Sequence, residues 1–189
     1  MSPLLDDDRV IADTRRWLER AVIGLNLCPF AKSVYVKDQV RYAVSHATTP
    51  EALREDLVRE LQWLAAEDPQ RTDTTLLIHP HVLQDFLDYN DFLDVADAVL
   101  DELDLEGVLQ VASFHPHYQF AGTAEDDVEN CTNRSPYPTL HLLREDSIER
   151  AVQAFPEPEA IYEANIRTLR ALGREGFERL LNDDAAPGR

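Results

Sequence analysis

A chain of 189 residues with 44% hydrophobic and 29% charged side chains is long enough to bury the core of one soluble domain. Its 36 Asp and Glu against 18 Lys and Arg leave a formal net charge of −18. That balance excludes an extended phosphate-tracking surface for nucleic acid and attraction to anionic membranes, while leaving room for a local basic pocket. No apolar run approaches the roughly 18 residues needed to cross a bilayer. The start, MSPLLDDDRV, lacks the apolar stretch of a secretory signal, so a cytoplasmic protein is expected. Two cysteines, Cys28 and Cys131, are too few for a disulfide framework and read as free thiols.

Residues 7–27 carry Val10, Thr14, Trp17, Leu18, Ala21, Val22 and Leu25 at helical spacing behind the acids Asp6 to Asp8, which suit a helix N-terminus. Pro29 stops that helix and leaves Cys28 at its end. Residues 34–47 hold two β-rich pieces around Lys37-Asp38 and predict a strand, with a shorter partner in a hairpin. Thr49-Pro50 opens a helix to about residue 66, with Leu53, Leu57, Leu61 and Leu64 as its buried stripe. Residues 74–78, TTLLI, form a continuous apolar run of the kind covered on both faces of a sheet.

A helix follows over about 83–103, its inward residues including Phe86, Phe92, Ala96, Val99 and Leu100. Its acidic stripe is a solvated face, because calcium sites draw ligands from a loop. Residues 108–114 and 138–143 predict two more strands, separated by an irregular loop. Helices over 145–155 and 157–181 close the chain, with Pro156 and Pro158 at the break between them. The expected fold is a single α/β domain over 1–181 with a disordered tail at 182–189. Its sheet has about four strands, mostly parallel near residues 40, 76 and 111. Helices separate those strands and impose right-handed crossovers. The strand near 140 is the one free to run antiparallel.

Two His-Pro-His tripeptides carry the chemistry. His79 and His81 follow the strand at 74–78, and His115 and His117 follow the strand at 108–114. Proline biases its predecessor toward extended angles, and residues i and i+2 of an extended segment share a side, so each tripeptide is expected to present two imidazoles together. Parallel strands would bring both pairs to the carboxyl edge of the sheet, where α/β proteins place ligands. Four imidazoles gathered there suit a transition metal such as zinc or iron. The opposing reading makes each His a backbone-bonded strand-end residue and each Pro a stop signal.

The loop 115–138 adds further groups. Cys131 lies in NCTNR, where Arg134 can lower its pKa and make it a nucleophile or metal thiolate. Arg134 can instead clamp a carboxylate or phosphate. The stiff SPYP at 135–138 can hold Tyr137 over a ligand. His141 alternates with Leu140 and Leu142 and reads as a core or supporting residue, and His46 lies outside any site. Nucleotide-binding glycine loops, GxSxG, HExxH and CxxC are all absent from the sequence.

The segments GLNLCPFA, the paired HPH and NRSPYPTLHLLR resemble a family of bacterial proteins defined only as a conserved domain of unknown function. The resemblance spans about residues 13–172 and implies that these segments belong to one domain; it implies no reaction.

Three functional expectations follow. The first is a small-molecule enzyme with a histidine-rich metal site, its ligands His79, His81, His115 and His117 and its catalytic groups His115, His117, Cys131 and Arg134, with hydrolysis and oxidation unresolved. The second is a metal-free Cys/His enzyme. The third is a non-catalytic binding or interaction module whose pocket recognises an anionic metabolite or a partner segment. The partner expected first is a small-molecule substrate, and neither nucleic acid nor membrane is expected.

Overall fold

The structure, a computed structural model, describes residues 5–155 and 157–182. The expected tail lies outside those residues beyond Asn182, as does Pro156 at the expected helix break.

Helix α1 (Asp7–Trp17) begins where the Asp6 carboxylate accepts a hydrogen bond from the Asp8 amide, and it continues as a π-helical turn over Leu18–Ile23. Asn26, at φ +52°, then reverses the chain. The segment expected to begin a hairpin is instead the short helix α2 (Ala31–Val36), and only β1 (Val40–Val44) is a strand. Val34, Tyr35 and Val36 favour strands only where a neighbouring strand can receive them. Here Asp38 (φ +56°) turns the chain straight from helix into β1, and among the described residues β1 pairs with β2 alone.

Helix α3 (Pro50–Ala66) is capped by the Thr49 hydroxyl, which accepts from the Ala52 amide at 3.2 Å. Strand β2 (Thr74–Ile78) is buried at every residue, as a doubly covered strand should be. Asp85 caps α4 (Phe86–Glu102), accepting from the Leu87 and Asp88 amides. Strand β3 (Leu109–Phe114) leads into a loop containing a 3₁₀ segment, Val128–Asn133, and β4 (Thr139–Arg144) returns from it. Helices α5 (Glu145–Ala154) and α6 (Pro158–Asn182) follow, the latter broken at Gly173, whose φ of +71° suits only glycine without strain.

The sheet order is β1-β2-β4-β3. Strands β1, β2 and β3 point the same way, as the helical crossovers require. However, β4 inserts antiparallel between β2 and β3, so the sheet is mixed and only β1 and β2 are parallel neighbours. The loop after β3 folds back without a crossover helix, and a strand that returns directly must run in reverse.

Alternation across the pleat divides the sheet cleanly. Leu77, Leu140 and Leu142 pack with Leu53, Leu57, Leu61 and the inner face of α4 in the main core. The other face, with Leu76, His141 and Phe114, lies beneath α1, the 24–31 turn, α2 and α5. Arg144 at the end of β4 reaches back to α3, donating to the carbonyls of Leu64 (2.9 Å), Glu67 (3.0 Å) and Thr72 (2.9 Å). It thereby binds carbonyls at the C-terminal end of α3 and in the turn that follows it.

Candidate functional site

Both His-Pro-His tripeptides leave the same edge of the sheet, since β2 and β3 are co-directional. Their imidazoles do not form one centre. Ile78 and Phe114 both pair with Thr139, so a whole strand separates the two motifs, about 10 Å at ordinary strand spacing. His79 and His115 both continue the face of the sheet that carries α4. There the Tyr89 ring stacks on His79 (centroids 5.7 Å) and meets His115 (4.9 Å).

Three of their four ring nitrogens are engaged with backbone. His79 Nδ1 lies 3.1 Å from the Val82 carbonyl, which fixes the proton on Nδ1. The His115 Nδ1 accepts from the His117 amide at 3.0 Å, so its Nε2 carries the proton and donates to the Leu83 carbonyl at 3.0 Å. Burial holds His79 neutral, its pKa lowered to about 4, and lowers His115 also. The Nε2 atoms of His79 and His81 are buried without a partner. Among the described residues no group of three or more His, Cys, Asp or Glu side chains is placed to hold a metal ion. The four-imidazole centre expected from the sequence is therefore not assembled.

The reason is local. The Tyr118 amide donates to the His115 carbonyl at 3.1 Å, making residues 115–118 a β-turn with Pro116 in its second position. Proline is as much at home there as in an extended chain, and the turn sends His115 inward and His117 outward. His117 is exposed, and its ring nitrogens make no hydrogen bond among the described residues.

The loop between β3 and β4 is organised by two asparagines. The buried Asn130 accepts at Oδ1 from the Phe120 amide and the Thr123 hydroxyl, both at 2.9 Å, and donates to the Ala124 carbonyl at 2.8 Å. Asn133 donates to the Ser113 carbonyl at 3.1 Å, and its own carbonyl accepts from the His115 amide. Arg134 binds across the same loop, donating to the carbonyls of Tyr118 (3.1 Å) and Glu125 (2.6 Å).

This scaffold brings His117, Cys131 and Arg134 to one cleft of about 610 Å³, and leaves His115 out of it. The opposite walls come from the chain termini: Arg9, Asp13 and Arg16 on α1, and Arg174 and Glu178 on α6. Tyr137 also lines the cleft, its hydroxyl donating to Asp13 at 2.7 Å, and burial with that carboxylate raises its pKa to about 12. Four guanidinium groups thus line the cleft with two carboxylates, Asp13 pairing with Arg9 and Arg16 and Glu178 with Arg174. Positive charge is therefore in excess there, in a protein whose acids outnumber its bases two to one. Cys131 is not the activated thiol that its arginine neighbour suggested: burial pushes its pKa up, and Arg134 and Arg174 offset this only in part.

Sequence reading missed the arginines of the terminal helices, because polar positions opposite an apolar stripe look alike whether they meet solvent or a cleft. It also missed Asn130 and Asn133, although short amides in an irregular loop are the usual anchors of its backbone.

No curated protein and no solved structure matches the chain. A family model described as a protein of unknown function, DUF1415, matches residues 9–179, and the chain belongs to that family.

Proposed function

We propose that the cleft between α1, α6 and the β3–β4 loop binds a small anionic molecule. The observation that carries this reading is the convergence of Arg9, Arg16, Arg134 and Arg174 on one concavity in a strongly acidic protein. Guanidinium groups recognise carboxylate and phosphate through paired, charge-assisted hydrogen bonds. The cleft has the volume of a small-molecule site. No described helix is long and apolar enough to cross a membrane.

Calorimetric titration with inorganic phosphate, succinate and citrate, and with neutral succinamide as control, tests the reading. At least one anion should bind with an affinity that falls as salt rises. Arg174→Gln should weaken it about tenfold or more, the worth of one charged hydrogen bond. Equal, salt-independent binding of succinamide, or no saturable binding of any anion, would refute it.

One observation extends the reading to acid–base catalysis. His117 is the exposed imidazole at the cleft, with ring nitrogens unbonded among the described residues. With Cys131 held as a thiol, proton transfer by His117 is the chemistry this arrangement favours. His117→Gln should then abolish turnover of a bound anion while changing its affinity only a few-fold.

A further inference from the structure

A second cavity, of about 710 Å³, lies further along the same face of the sheet and shares no lining residue with the cleft. Leu76, His141 and Phe114 of the sheet line it, with Phe30 and Val34 from the 24–36 segment and Ile148 on α5. Its lining is predominantly apolar, with His141 set among hydrocarbon.

The bonding around His141 fixes its tautomer. The Thr74 hydroxyl lies 2.7 Å from the Leu142 carbonyl and 2.7 Å from His141 Nε2. A hydroxyl has one proton, and a carbonyl can only accept, so Thr74 donates to Leu142 and accepts from His141. Nε2 therefore carries the hydrogen and Nδ1 the lone pair. Nδ1 has no hydrogen-bond partner among the described residues, and it is not one of the fully enclosed unpartnered atoms, so it keeps an accessible surface. Burial lowers the His141 pKa to about 4, which keeps the ring neutral and the lone pair available at ordinary pH.

We infer that this cavity is a second ligand site, taking an apolar alcohol or phenol whose hydroxyl donates to His141 Nδ1. A predominantly apolar chamber that presents an unpartnered imidazole lone pair selects for hydrocarbon bearing a donor. A carboxylate is disfavoured, since it has no proton to give the lone pair and would lose its hydration on burial. The charged side chains bordering the cavity do not reverse this. Lys37 and Arg150 are exposed, and Asp73 accepts from the Ser147 hydroxyl at 2.6 Å.

The inference stands apart from the anion cleft and can fail without it. The full-length protein is titrated calorimetrically with 4-butylphenol and with butylbenzene, and Cys28 alkylation is followed by mass spectrometry, because the half-buried Cys28 lines this cavity. The phenol should bind one site saturably and slow Cys28 alkylation. Butylbenzene should bind about five- to tenfold more weakly, the worth of one hydrogen bond. His141→Phe should erase that difference. Ala151→Phe, which fills the cavity from α5, should abolish binding of both. Absence of saturable phenol binding, equal affinity for the two probes, or undiminished binding to A151F would each overturn the proposal. The first two are read on the unmodified protein, so they decide even if a variant fails to fold.

Discussion

Tyr89 on α4 donates its hydroxyl to the Thr139 carbonyl of β4 at 2.7 Å and accepts the Phe114 amide of β3 at 3.1 Å. A helix side chain thus completes the hydrogen bonding of two neighbouring strands where their ladder ends, and its ring fills the space between His79 and His115. Tyr89→Phe keeps the ring but leaves the half-buried Phe114 amide without that acceptor and the buried Thr139 carbonyl without that donor. It should lower unfolding stability by about 1–3 kcal/mol in urea titration. A loss below the error of the measurement would mean that the strands close without it.

His79 and His141 are both held neutral by burial, with pKa values of about 4, against about 6.5 in an unfolded chain. Between those values the unfolded chain binds protons that the native protein does not. Stability should therefore be complete above pH 6.5 and fall as pH drops toward 4. For the fully buried His79 the whole window is worth about 3 kcal/mol. Denaturation midpoints measured from pH 7 to 4.5 should show this decline, and a shallower one in His79→Gln. An identical slope in the variant would show that His79 is not the group titrating.

Cys131 is buried and its thiol pKa is raised, whereas Cys28 is half-buried. Iodoacetamide at pH 8 should modify Cys28 first and reach Cys131 only when urea opens the fold. Peptide mass mapping reads the order directly. Faster labelling at Cys131 would restore it as a candidate nucleophile.

The imidazole nitrogens that the His-Pro-His reading assigned to a metal are committed to backbone at His115 and half committed at His79. Chelator treatment of protein purified without a histidine tag should leave its melting temperature unchanged. Zinc titration should show no stoichiometric site. Tight uptake of one equivalent, lost in a His79→Gln/His115→Gln double variant, would establish a metal centre after all.

Much of the architecture was legible because it rests on periodicity and caps. The leucine stripe and Thr49-Pro50 delimit α3, and the five-residue run TTLLI becomes the doubly covered β2. Other features depended on neighbours that a linear reading cannot see. Val34 to Val36 look like a strand but find no strand to pair with. The tripeptide at 115–117 is compatible with either an extended segment or a turn, and the Asn133 carbonyl, 18 residues on, holds the His115 amide as that turn begins. Of the candidate site, the loop residues His117, Cys131 and Arg134 were legible because unusual chemistry clustered in a short stretch. Arg9, Arg16 and Arg174 were not, since nothing local distinguishes an arginine facing a cleft from one facing water. His141 read as core because alternation gives the face of a strand, not whether that face is filled.

The insertion of β4 between β2 and β3 has a consequence for how the chain is made. When residues up to 138 have left the ribosome, β2 has its neighbour β1 on one edge only and β3 has no native neighbour, since both take β4 as a partner. Two apolar strands then present open edges until residues 139–144 arrive, a nascent state prone to mispairing. Ser113 and Leu140 are partners, as are Leu77 and Leu140 at a separation of 63 residues, so closing the sheet is a long-range and comparatively slow event. The centre of this sheet is the last part of it to be synthesised. Truncation just before Thr139 should therefore yield an aggregating chain rather than a smaller folded one.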